Sequence, residues 1–135
     1  MSAALAGCGD PPADPEAQIR ALLAGAEQAA ESGSAGDLLD YIADDYHDAA
    51  DRDRQKLGLQ LRAYFYRYPE PGLLSRVESI RFPYRDFAQV TLVVAMRNGL
   101  REAGVYRIEL DVRLQDAAWQ VTAARWERAS STDLL

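Results

Sequence analysis

The run Tyr46-His47-Asp48 sets the only histidine of the chain between a phenol and a carboxylate. Imidazole changes charge near neutral pH, so His47 paired with Asp44, Asp45 or Asp48 could act as a general base. Such chemistry needs groups that converge from several elements on one hollow. Here they stand together in an acidic stretch, Asp44 to Asp48, with Asp51 and Asp53 close behind. That arrangement reads first as a solvated loop carrying a surface histidine, with a short strand allowed within it. No residue is therefore assigned to catalysis, and His47, Asp48 and Tyr46 form the alternative set. The acids lack the glycine and closing glutamate of a calcium loop, and one His with one Cys cannot build an ordinary zinc site, so no metal is expected. There is no glycine-rich phosphate loop and no nucleophile elbow, and no cofactor is implied.

A binding role rests on other residues. Tyr46, Tyr64, Tyr106 and Trp126 are the candidate ligand-binding positions, because aromatic rings with a polar tip suit the edge of an apolar hollow. Tyr106 heads the cleanest alternation in the chain. Ile108, Leu110, Val112 and Leu114 share its face, and Arg107, Glu109, Asp111 and Arg113 take the other. Val90, Leu92, Val94 and Met96 repeat the pattern with no carboxylate on either face, so the apolar wall is short of catalytic acids. Trp126 is the weakest of the four, since strict alternation puts it on the opposite register from Trp119. The same alternation puts Arg125 inside with Trp119 and Val121, where it could hold an anion. Snorkelling to the rim or a bulge would turn it outward, and that reading is favoured.

These side chains need a scaffold. Asp14-Pro15-Glu16 reads as a helix start, and Ile19, Leu22, Leu23, Ala26 and Ala30 form one apolar stripe that ends at Ser32-Gly33. Ser34 with Asp37 starts a shorter second helix burying Leu38, Leu39 and Ile42. A third begins near Asp51 or Asp53, with Leu57, Leu61, Tyr64, Phe65 and Tyr68 on one face. Gly58 within it requires a close neighbour to be tolerated. Pro69-Glu70-Pro71-Gly72 stops the helical pattern. From Leu73 the period is two: a strand to Phe82, a turn at 83–86, a strand to Arg97, the hairpin signal Asn98-Gly99, the strand headed by Tyr106, and a last strand from Trp119 to Arg128. Residues 129–135 are expected to be a frayed tail.

Size and charge narrow the function. Residues 15–128 suffice for one core. A net charge of −6 argues against nucleic acid as a partner. Residues 1–55 carry 3 Arg against 12 Asp or Glu, and residues 56–135 carry 12 Lys or Arg against 9 Asp or Glu. Nowhere is there an 18-residue apolar run.

Leu5-Ala6-Gly7 followed by Cys8, the only cysteine, resembles the lipobox of bacterial lipoproteins. The resemblance implies a signal remnant at residues 1–7, acylation of Cys8, and a tether at 8–14 that includes Gly9-Asp10-Pro11-Pro12. Only Met1 to Ala4 precede the box, so the leader reads as clipped. The implied place is the bacterial cell envelope, anchored to the lipid bilayer on the periplasmic side. Gly9 rather than Asp after the cysteine leans towards the outer membrane.

Helices followed by a strand meander imply an α+β fold with three helices packed on a curved antiparallel sheet. The stretch Asp37-Leu38-Leu39-Asp40-Tyr41-Ile42-Ala43-Asp44-Asp45-Tyr46 and the closing Ala118-Trp119-Gln120-Val121-Thr122 are similar to the nuclear transport factor two-like (SnoaL-like) superfamily, the cystatin-like cone fold shared with ketosteroid isomerases, scytalone dehydratase and polyketide cyclases. The resemblance covers about residues 15–128. It implies a pocket between helices and sheet, and a homodimer through the outer sheet face, where the ladder Arg107, Glu109, Asp111 and Arg113 would lie. The expected function is a non-catalytic lipoprotein domain whose pocket binds a small apolar ligand or a protein partner. The alternative is an isomerase, dehydratase or cyclase using His47 with a nearby Asp.

Overall fold

A computed structural model describes residues 14–98 and 101–135. Cys8, the signal remnant and the tether as far as residue 13 lie outside the described residues, as does Gly99 of the hairpin signal. Asp14 does not belong to the tether. It is the N-cap of helix α1 (Pro15–Glu31), where its carboxylate accepts from the Ala17 amide at 2.7 Å. Pro15 follows at a position whose amide has no helical partner. Gly33 stops the helix with φ of +72°, a conformation glycine adopts without strain. Ser34 caps the short helix α2 (Ala35–Leu39) by accepting from the Asp37 amide. Asp53 does the same for α3 (Arg54–Arg67) through Lys56.

Between α2 and α3 the chain forms a strand, β1 (Ile42–Asp48), where the sequence read mainly as a loop. The meander follows: β2 (Gly72–Tyr84), β3 (Phe87–Asn98), β4 (Arg101–Gln115) and β5 (Ala118–Arg128). Sheet order is β1-β5-β4-β3-β2. The four meander strands pair antiparallel, but β1 pairs parallel to β5. The sheet is therefore mixed, and the expectation of a purely antiparallel one is corrected. A strand that enters before the last helix meets the meander's final strand rather than its first, so no hairpin constrains its direction.

The core lies between the helices and one sheet face. Ala88, Val90, Leu92 and Val94 of β3 pack with Val112 of β4 and with Trp119, Val121 and Ala124 of β5 against Ile19, Leu22, Leu39 and Ile42. Trp119 also donates from its indole nitrogen to Gln18 Oε1 at 2.7 Å, pinning α1 to the sheet. Gly58 has the close neighbour its place in α3 requires, because a Cβ there would come within 3.0 Å of Leu39 Cδ1.

One bulge sets the phase of β5. Val112 opposes Val121, while the next β4 residue, Asp111, opposes Ala123, so Thr122 is the extra residue. Beyond it Ala124, Trp126 and Arg128 face Leu110, Ile108 and Tyr106, and Arg125 falls opposite Glu109. Arg125 therefore points to the outer face, and Trp126 joins the inner face that strict alternation denied it. The tail is not frayed. Residues Ser131–Leu134 form a 3-10 helix with a capping box, in which Asp133 Oδ2 accepts from the Ser130 amide at 3.0 Å.

Candidate functional site

A groove of about 340 Å³ runs between α1 and the inner face of β2, β3 and β4. Its origin is in the helix. Leu23, Ala26, Glu27 and Ala30 recur at spacings of three and four and face the sheet. Two of these four are alanines, whose methyls are too short to fill the space to the strands. Leu73 and Val77 of β2, Leu92 and Val94 of β3, and Leu110 of β4 complete an apolar wall. Polar groups are few. Arg20 donates from Nε to Glu16 Oε2 at 3.1 Å, and Ser75 Oγ lies 3.1 Å from both Glu27 carboxylate oxygens, donating to them. Such a lining suits an apolar molecule fixed by one or two polar contacts.

Tyr46, Tyr64, Tyr106 and Trp126 do not line this groove. Tyr46 is buried at 4% exposure, and its hydroxyl donates to Asp48 Oδ2 at 2.7 Å. The Tyr64 hydroxyl donates to Asn98 Oδ1 at 2.6 Å. The Tyr106 ring lies beside Gly104 with the Arg128 guanidinium 5.5 Å from its centre. Trp126 is 40% exposed and carries the Arg52 guanidinium 5.1 Å above its ring. The groove was legible in part: Leu23, Ala26 and Ala30 belong to the helix stripe, and Leu92, Val94 and Leu110 to the alternating strands. The small residues within the stripe were the signal for a gap.

The strand geometry of β1 splits the Tyr46-His47-Asp48 set. Side chains alternate across a strand, so His47 turns away from its two neighbours. Its side chain is 64% exposed, and Nε2 lies 3.3 Å from Asp51 Oδ1 in the surface turn. Asp48 goes inward and is 4% exposed. Its Oδ1 accepts from the amides of Ala50 (2.9 Å) and Arg52 (3.1 Å), and its Oδ2 from Tyr46 Oη and from Arg52 Nε (2.9 Å). Burial pushes the Asp48 carboxyl up, but these donors and the Arg52 charge together hold it below the ordinary carboxylate value. Tyr46 moves the other way. Burial, then its bond to Asp48, pushes the phenol well above its usual value. Tyr46 therefore stays neutral and Asp48 ionised, with every strong interaction directed within the chain. The pair ties the 48–53 turn to the core and has no free acceptor for a substrate proton.

On the outer face the ladder is closed within one chain. Arg107 pairs with Glu78 at 2.9 Å, Arg125 with Glu109 and Asp111 at 3.2 Å, and Arg113 with Asp45 at 3.4 Å. Among the described residues no three His, Cys, Asp or Glu side chains converge to hold a metal, and no helix is long and apolar enough to cross a membrane.

No protein-family model matches the chain, and no curated protein matches it by sequence. Solved structures do match. A domain of unknown function with a cystatin-like fold from Nostoc punctiforme superposes with a TM-score of 0.74 at 17% identity, over 92% of this chain and 82% of that one. An NTF-2 like protein of unknown function from Shewanella oneidensis gives 0.69 at 19% identity, over 84% and 98%. A ketosteroid isomerase-like protein from Erwinia carotovora gives 0.66 at 14% identity, over 84% and 95%. At these identities the likeness establishes the fold: three helices packed on a five-stranded sheet in the cystatin-like architecture.

Proposed function

We propose that the protein is a non-catalytic binding domain that takes a small apolar ligand in the groove between α1 and the sheet, and that acylated Cys8 anchors it at the bacterial cell envelope. The observation that carries the first part is the groove itself. It has an apolar wall, its polar groups Arg20, Glu27 and Ser75 are already hydrogen-bonded, and neither His47 nor the Tyr46–Asp48 pair lines it. An enzyme of the isomerase or dehydratase kind needs an acid or base free to act on the bound substrate, and Glu27, the carboxylate of the lining, is engaged by Ser75. The lipobox-like Leu5-Ala6-Gly7-Cys8 carries the second part.

Mass spectrometry on protein purified without denaturation from its native host tests both. An apolar molecule released on unfolding supports the groove assignment, and its loss in Ala26→Leu places it there. Protein recovered with nothing bound, and unable to take up an apolar fluorescent dye, would remove the ligand. An unmodified Cys8 on that protein would remove the anchor.

A further inference from the structure

The outer sheet face is covered at one point by the C-terminal segment. Val93 sits on that face at 0% exposure, although no helix of the core covers it. Its two register partners are Arg76 on β2 and Arg107 on β4. The C-terminal segment lies over this point. Ala129 extends the β5 ladder by donating to the Val105 carbonyl at 2.9 Å, and the 3-10 helix then lies against β3. Arg76 donates from Nε (3.1 Å) and Nη2 (2.9 Å) to the Asp133 carbonyl, and Arg107 Nη2 stands 3.5 Å from the Asp133 carboxylate.

Two properties make this contact exchangeable. Glu78 holds both arginines independently of the tail, bonding Arg107 at 2.9 and 3.0 Å and Arg76 at 3.2 Å. The site therefore stays assembled when the tail leaves. The tail's contacts with the two arginine side chains are also solvent-accessible, and pairs of that kind hold weakly and are screened by salt. What the arginines read is compact: one backbone carbonyl and one carboxylate, presented by a turn that Ser130 caps by accepting from the Thr132 amide.

We propose that the Arg76–Val93–Arg107 face is a docking surface for a single hydroxyl-capped acidic turn of a protein partner, and that the chain's own C-terminal segment fills it as a built-in competitor. A fluorescent peptide spanning Ala129–Leu135 is the probe. The protein shortened to end at Ala129 binds it saturably. A tethered segment has an effective concentration on the order of millimolar, so to fill the site about nine-tenths of the time its free form needs a Kd of roughly 0.1 mM or tighter. The full chain binds the peptide at least about tenfold more weakly, because its site is filled, and so does the shortened chain with Arg107→Gln. Backbone amide shifts at Val93 and Arg107 locate the contact. If the shortened chain does not fold, the full chain with Ser130→Ala and Asp133→Asn, which loses the cap and the carboxylate contact to Arg107 and so loosens the tail, takes its place. A folded chain with a vacated face that ignores millimolar peptide would overturn the proposal. So would equal binding to the full chain. A shortened chain that dimerises irreversibly in the presence of peptide would assign the face to a second copy instead.

Discussion

Asp48→Ala separates a structural carboxylate from a catalytic one. The substitution removes an acceptor of four hydrogen bonds: from Tyr46 Oη, from the Ala50 and Arg52 amides, and from Arg52 Nε. The two amides lie near the surface, where water replaces part of the loss. The Tyr46 hydroxyl does not share that relief, since the residue is 4% exposed. Leaving it unpaired costs about 1–3 kcal/mol. Breaking a fully buried ion pair costs about 3–5 kcal/mol, and Arg52 falls short of that limit because its side chain is 22% exposed and keeps Gln60 and the Trp126 ring as partners. The sum is a loss of about 3 kcal/mol, or roughly 10 °C in melting temperature for a domain of this size. Urea denaturation near neutral pH measures it. Tyr46→Phe alone loses about 1 kcal/mol, and the double variant loses less than the two single losses added, because they share one bond.

The pH dependence carries a sign. Asp48 has a lower pKa in the folded chain than in the unfolded one, whose value is near 3.8. Its contribution is therefore present above that value and is lost as pH falls through the folded pKa. The gap between wild type and Asp48→Ala is full near neutrality and narrows below about pH 4. A loss under about 1 kcal/mol near neutral pH, or a gap that widens on acidification, would refute this assignment.

Three other substitutions probe different parts of the account. Ala26→Leu extends an apolar side chain into the groove, adding up to about 2 kcal/mol of stability in thermal melts while abolishing uptake of an apolar dye. His47→Ala changes stability by less than about 0.5 kcal/mol in urea titrations and leaves dye uptake unchanged, since the ring faces solvent. Gly33→Ala loses more than about 1 kcal/mol by the same titration, because φ is +72° and the new methyl would collide with the Pro69 carbonyl oxygen.

Much of the fold was legible because its signals are local. The caps Asp14, Ser34 and Asp53, the stripe through Ile19 and Leu22, and the alternation from Tyr106 to Leu114 each follow from nearest-neighbour geometry. The phase of β5 was not, because a bulge at Thr122 depends on which β4 residues lie opposite. That one residue decides the faces of Arg125 and Trp126. Strand β1 was obscured by its composition: five of its seven residues are Asp or His or Tyr, and only pairing to β5 makes them a strand. The tail read as frayed because its anchors, Arg76 and Arg107, lie far away in sequence. The candidate groove is a gap rather than a motif. It depends on Ala26 and Ala30 facing the sheet, and four aromatic positions drew attention because they have chemistry to offer. Tyr46 and Tyr64 spend it on hydrogen bonds within the chain, and Tyr106 and Trp126 carry the guanidinium groups of Arg128 and Arg52 over their rings.

Methyl NMR during titration with a small apolar probe, such as an anilinonaphthalene, tests the groove most directly. Saturable shifts at the methyls of Leu23, Leu92, Val94 and Leu110, with none at the His47 ring and none in Ala26→Leu, are the predicted result. Shifts gathered around His47, or the same pattern in Ala26→Leu, would contradict it.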